Sequence, residues 1–298
     1  MADEMWVNMG PQHPFNHGLW NLRVRLDGET ITKAEPIVGY LHRGWEKMVE
    51  NRTYPQIIPL ADRLCYGSSF SWSHVYCLTA EQLFGVEVPE RAKYIRTACL
   101  EMQRIISHLL WLMALGTDLG SYTILIWSLR EREVFLDRMV DISGARMTYN
   151  YPRIGGVRND VPNNWARDVN RTLDLFLDRL DEIEALTDAN QAFRMRTVNI
   201  GNISAEKAIN LGLTGPNLRG SGVDLDLRRH DPYEVYEDLD FEVCYATDGD
   251  AWSRYRVRMD EMRESAKIIR QCLEKMPEGP VRVKVPRCPP KGTACRRV

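Results

Sequence analysis

From Pro89 onward, Ala98, Met102, Ile105, Leu109 and Met113 recur every three or four residues, the spacing that lays one apolar stripe along an α-helix. Pro89 suits the first helical position, where its fixed φ and missing N–H cost nothing. A stripe of that length has to be covered, and the chain supplies the covers. Helical patterns also run from about Ile58 to Leu83, from Trp127 to Ser143, from Asn164 to Leu186 and from Asp260 to Met276. The Trp127–Ser143 run is rich in charge pairs such as Arg130, Glu131, Arg132 and Glu133. A shorter run with Trp45, Met48 and Val49 stops at Arg52-Thr53-Tyr54-Pro55. Several long helices with mixed faces imply a helical bundle and not a parallel sheet. The most membrane-like window, Leu109 to Trp127, contains Asp118, two glycines and a Ser-Tyr-Thr run. It reads as two buried helix ends meeting at a break, not as a spanning helix.

The N-terminal part has a different period. Trp20 to Leu26 alternates apolar and polar residues, Asp27-Gly28-Glu29 turns the chain, and Thr30-Ile31-Thr32 continues it, a β-hairpin signal. The chain therefore divides into a β-rich segment (1–40), a helical core (41–276) and the start of a further segment (277–298). Its 298 residues are ample for a sizeable core. A net charge of −2 argues against a nucleic-acid binder. Seven cysteines with no CxxC pair fit a reducing compartment better than a disulfide framework. No secretory or transit signal precedes the first motif.

That motif is Met9-Gly10-Pro11-Gln12-His13-Pro14-Phe15-Asn16-His17-Gly18. Two prolines and two glycines make it a shaped loop, and a rigid loop carrying imidazoles suits a site that holds a polar ligand in one pose. Spacing alone is equally compatible with a turn bearing two surface histidines. A second glycine-containing turn, Tyr151 to Val157, lacks the following Lys and the GxGxxG spacing of a phosphate cradle and reads as a tight connection.

Together with Gly39-Tyr40-Leu41-His42-Arg43-Gly44 and Glu50-Asn51-Arg52-Thr53-Tyr54, the histidine motif resembles the D subunit of respiratory complex I. That is the quinone-site subunit of NADH:quinone oxidoreductase and of its archaeal deazaflavin-dependent relatives. The likeness runs from about Met9 to Met276. It implies an α+β, mainly α fold like that of the nickel–iron hydrogenase large subunit, with a small N-terminal β-sheet and a central helical bundle. It also implies a peripheral-arm subunit of a proton- or ion-pumping oxidoreductase, on the cytoplasmic side of the cell membrane (matrix or stromal side in an organelle). Quinone or a similar lipophilic acceptor would be reduced at an interface with a neighbouring subunit that carries an iron–sulfur cluster. Further partners would be other peripheral-arm and membrane-arm subunits, and this chain would hold no cofactor or metal of its own. The donor stays open between NADH, a reduced deazaflavin and ferredoxin.

By the same resemblance, Tyr66 donates a hydrogen bond to the quinone headgroup, and a phenol is a reasonable proton donor to a basic reduced oxygen. His17 lies on the other side of the headgroup and pairs with Asp118, and a carboxylate beside an imidazole orients it and favours its charged form. Arg43 lies near the neighbour's cluster, where a fixed positive charge favours the reduced state. Read without the family, Tyr66 is a core aromatic, Asp118 a cap at the helix break and Arg43 an ion-pair partner. His13 and His42 read as structural groups that bond the loop backbone, and His108 as a satisfied core histidine.

Three departures stand out. Where hydrogenases of the superfamily have their first CxxC, this chain has Cys65-Tyr66-Gly67-Ser68. A serine in the second ligand position opposes a nickel–iron centre, and therefore the rival reading as the large subunit of a membrane-bound energy-converting hydrogenase. The family's usual aspartate is replaced by Cys65, read here as a buried inert thiol. Thr148 stands where many members have a titrating histidine, which points to a divergent branch such as the archaeal one. The likeness further implies that residues 277–298 open a segment that continues beyond Val298. A non-catalytic scaffold is the remaining alternative.

Overall fold

Asn21–Asp27 (β2) and Thr30–Ile37 (β3) form the expected hairpin, and Met5–Met9 (β1) adds to the free side of β2 to give an antiparallel sheet of order β1-β2-β3. Gly28 takes the positive φ of +59° that the two-residue turn needs. This computed structural model describes residues 5–11 and 19–298. The chain falls into two units, Met1–Arg52 and Thr53–Val298. In the first, Arg23 lies 4.9 Å over the Trp6 ring. Gly10 leads into the histidine loop where any Cβ would come 2.3 Å from the Trp20 carbonyl oxygen. The loop's entry therefore admits glycine alone. His42 accepts a hydrogen bond at Nδ1 from the Gly44 backbone N–H, 3.3 Å away, the backbone-bonding role expected of it. The short helix Trp45–Val49 (α1) follows.

The second unit begins with Tyr54–Asp62 (α2), opened by a reciprocal capping box between Thr53 and Gln56. A 3₁₀ turn, Tyr66–Ser68, then leads into Ser69–Phe84 (α3). The single helical pattern expected from Ile58 to Leu83 is thus two helices with a kink between them. Glu90–Asp118 (α4) and Tyr122–Ser143 (α5) come next, then Pro152–Arg153 (β4) and Gly156–Val157 (β5). Trp165–Asp188 (α6) is followed by four short helices, Gln191–Met195 (α7), Ala205–Asn210 (α8), Gly215–Arg219 (α9) and Leu227–His230 (α10). Ala251–Lys275 (α11) closes the bundle. No helix among the described residues is long and apolar enough to cross a membrane.

Helix α4 is the axis of this unit, 29 residues and roughly 43 Å long. Its predicted stripe is buried at Ala98, Met102, Ile105 and Leu109, packed with Phe135 and Met139 of α5 and Met262 and Ile269 of α11 in one core. Phe135 meets Phe176 of α6 edge-on at 4.9 Å. The break between α4 and α5 falls where Asp118 and the glycines place it. Ser121 N donates to Gly116 O at 2.7 Å and Gly120 N to Thr117 O at 2.9 Å, with Gly120 at φ +85°. That is a Schellman cap.

Charged groups also cross the core. Arg96 of α4, fully buried, pairs with Glu81 of α3 at 2.6 Å and with Glu234 at 3.0 Å. It also donates to the Arg153 and Gly156 carbonyls at 2.7 and 2.8 Å. Glu81 in turn accepts from Gly155 N at 2.7 Å. The Tyr151–Val157 segment is therefore a tight hairpin clamped from below, as its sequence suggests. Removing a buried cation leaves two buried carboxylates without their guanidinium. Arg96→Met should lower the unfolding free energy by roughly 3–5 kcal/mol in urea, whereas Arg270→Met, at the exposed pair with Asp174, should change it by less than about 1 kcal/mol. Equal losses in the two variants would show that the clamp matters no more than a surface pair.

Candidate functional site

The turn that carries Tyr66 is held from three sides. Leu64 N donates to Ala61 O at 3.0 Å, which closes α2, and Ser68 N donates to Cys65 O at 3.2 Å, which closes the 3₁₀ turn. The Gln103 carboxamide of α4 donates to Gly67 O at 2.9 Å and accepts from Phe70 N at 3.4 Å. Ser69 Oγ donates to Met147 O at 3.2 Å, and Asn150 N donates to a carboxylate oxygen of Asp62 at 3.2 Å. Segments 62–70 and 147–150 are laced together, so Thr148 lies alongside the Tyr66 turn. On this fixed turn Tyr66 is 44 % exposed, while Phe70 and Tyr149 beside it are buried. The core-aromatic reading of Tyr66 therefore fails.

Asp118 is the last residue of α4, and it is exposed. The Schellman cap satisfies the helix end without it, so the reading as a cap fails as well. A carboxylate at a helix C-terminus meets the negative end of the macrodipole and gains nothing from it. No cation among the described residues pairs with Asp118. Gln103, which braces the Tyr66 turn, and Asp118 are 15 residues apart on α4, roughly 22 Å along the axis. A ligand that met both groups would lie lengthwise along this helix. His13 and His17 fall outside the described residues. Arg43 is exposed in the first unit, between His42 and Gly44.

Cys65 is only partly buried, unlike the inert thiol expected at that position. Ser68 opens onto a cavity of about 530 Å³ walled by Gln103, His108, Arg219 and Arg228. The charges of that wall answer one another. Arg228 pairs with Asp226 at 2.7 Å and with Glu101 at 3.1 Å, Arg219 with Glu261 at 2.9 Å, and His108 with Glu261 at 2.7 Å. His108 is thus the satisfied core histidine that its helix face implies. Among the described residues no three His, Cys, Asp or Glu side chains converge as a metal set.

Three residues of the Tyr66 neighbourhood escaped the sequence reading. Asp62 is fully buried with one carboxylate oxygen unpartnered, and Tyr149 and Arg132 are buried as well. A signal for Arg132 existed: it precedes Leu136 and Met139 by four and seven residues, which puts it on the buried face of α5.

Residues 118–297 match the family described as the respiratory-chain NADH dehydrogenase, 49 Kd subunit, and the chain belongs to this family. Its relatives carry matching names. The D 2 subunit of NADH-quinone oxidoreductase from Rhizobium meliloti (strain 1021) is 48% identical over 283 residues, 95% of this chain and 70% of that protein. The corresponding D subunit from Clostridium beijerinckii is 48% identical over 98% of this chain and 79% of its own length. That of Carboxydothermus hydrogenoformans is 44% identical over 100% and 82%.

Burial raises the Asp62 carboxyl from its ordinary 3.8 to about 6, against the Asn150 backbone N–H, Arg63, Ser73 and Arg153, which favour the charged form. The folded state thus prefers Asp62 protonated. That preference stabilises fully below about pH 4 and is lost as pH rises through about 6, above which ionised Asp62 is a penalty. Asp62→Asn, neutral at every pH, should gain on the parent by roughly 2–5 °C in Tm between pH 4 and pH 7. A Tm difference independent of pH would show that Asp62 is solvated.

Proposed function

We propose that this chain forms, with a neighbouring iron–sulfur subunit, the pocket in which an NADH–quinone oxidoreductase of the complex I type reduces its quinone. The observation that carries this reading is Tyr66, an exposed phenol on a turn braced by α4 and by the 147–150 segment, in a family whose members are named for quinone reduction. The chain acts as a peripheral-arm subunit on the cytoplasmic side of the membrane, and membrane-arm partners couple the electron flow to ion pumping.

Two electrons reach the quinone from the neighbour's cluster, and two protons have to follow. Tyr66 supplies one to the headgroup oxygen it faces, since its side chain stands partly exposed on a braced turn. His17 supplies the other from the opposite side, oriented by Asp118, whose carboxylate at the end of α4 is left over from any structural task. Arg43 lies near the cluster and favours its reduced form. This chain's part is to position and protonate, and the redox group stays with its neighbour.

Tyr66→Phe removes one hydroxyl and little volume, so the complex should assemble with its clusters intact. Quinone reduction should fall roughly ten- to a thousand-fold, the range for loss of a positioned donor. Electron transfer from NADH to a soluble dye, which bypasses the pocket, should be unchanged. Near-normal quinone reduction in this variant would overturn the assignment.

A further inference from the structure

Gly155 and Gly156 of the β4–β5 hairpin let a third strand approach it. Val157 N donates to Val281 O and Val283 N to Gly155 O, each at 2.9 Å, so residues 281–283 lie antiparallel against β5. At Gly156 any Cβ would stand 2.1 Å from Val281 O, and at Gly155 it would stand 2.8 Å from a Val285 methyl. Both glycines also take positive φ, +85° at Gly155 and +146° at Gly156. A side chain at either position would hold the third strand off.

That strand has one closed and one open side. Its pairing with β5 uses the backbone of Val281 and Val283, which turns the N–H and C=O of Arg282 the other way. Neither Arg282 nor Lys284 makes a backbone hydrogen bond among the described residues. Both are exposed and alternate with the half-buried Val281, Val283 and Val285. With Arg287 they make three cations that pair with no carboxylate among the described residues. The same segment borders a cavity of about 730 Å³ that reaches the start of α2. Tyr54, Ile58, Phe84 and Ile154 give it apolar walls, Arg153 adds a fourth cation, and no Asp or Glu lines it. The Arg153 guanidinium bonds Asn150 and Pro152, at 2.6 to 3.0 Å, and no carboxylate among the described residues.

Cations of one sign around an apolar cavity are complementary to a partner with carboxylates and an apolar anchor. The open edge adds a direction. An extended segment laid beside Arg282 and Lys284 takes their backbone groups, while its alternate side chains reach the cations and the cavity. We propose that residues 281–287 dock an extended acidic segment of a neighbouring subunit. The segment adds to this sheet edge with its carboxylates against Arg282, Lys284 and Arg287 and one apolar side chain in the cavity. The proposal rests on the chain's place in a multi-subunit oxidoreductase and not on the role of Tyr66.

The test uses the intact complex. A photoreactive benzophenone side chain at Pro286, which lines the cavity, should cross-link to one short segment of another subunit that carries Asp or Glu at alternate positions. Arg282→Glu with Lys284→Glu should lower the yield of that adduct about ten-fold or more, since like charges then face each other. The subunit so identified should also leave this variant at a salt concentration that the parent complex withstands. Should the double reversal fail to assemble, Arg282→Gln with Lys284→Gln carries the same comparison with a smaller loss. Lys284→Pro, which removes the outward N–H as well as the charge, should weaken the adduct more than Lys284→Gln does. Equal losses in those two overturn the strand pairing. An adduct to lipid or to this chain itself, a segment without carboxylates, no adduct, or a yield indifferent to charge reversal overturns the proposal as a whole.

Discussion

Arg96 is the group on which the second unit depends. One guanidinium joins α3 through Glu81, the β4–β5 hairpin through two carbonyls, and the 231–236 segment through Glu234. Apolar contacts run beside it, Cys77 and Ala80 with Ile154 and Phe70 with Tyr151, but packing alone leaves the hairpin's backbone carbonyls without partners. An arginine satisfies them because its planar fork offers five donors in fixed directions. Glu234 also takes Nε2 of buried His74 at 2.6 Å and sits at a positive φ of +51°. Such a backbone is costly for a residue with a Cβ and persists only where partners over-determine it.

A second buried network repeats the device on the opposite side of α4. Glu101 accepts from Arg228, Ser265 and Tyr236, at 3.1, 2.6 and 2.5 Å, and so ties α4 to α10, α11 and the loop between them. The bundle's interior is thus laced by matched charges on both sides of α4. Asp118 stands exposed at the negative end of the α4 dipole, outside both networks.

How far the sequence revealed all this varies with the physics of each part. Helices α4, α5, α6 and α11 were legible because their apolar residues keep a 3.6-residue period over several turns, and the α4–α5 break because Gly120 and Asp118 interrupt it. The kink at residues 63–68 was not, since Cys65 and Tyr66 continue an apolar pattern and the groups that brace the turn, Gln103, Met147 and Asn150, are distant in sequence. Helices α7 to α10 are one turn or little more, too short to show a period. Tyr66, Asp118, His17 and Arg43 were found through family wording. Arg96 and Glu101 look like surface charges in sequence, because their partners, apart from Arg104 beside Glu101, come from segments 15 to 164 residues away.

The Gln103 bracket makes the site sensitive to a single atom. Its carboxamide must donate at one end, to the Gly67 carbonyl, and accept at the other, from the Phe70 amide. Only a group with one donor and one acceptor face fits, and only in one orientation. Exchange of the amide nitrogen for oxygen, the change that spontaneous hydrolysis makes in an ageing protein, preserves shape and volume almost perfectly. Yet it would set two lone-pair-bearing oxygens against each other beneath the Tyr66 turn. The chain would keep its fold and lose the rigidity of that turn.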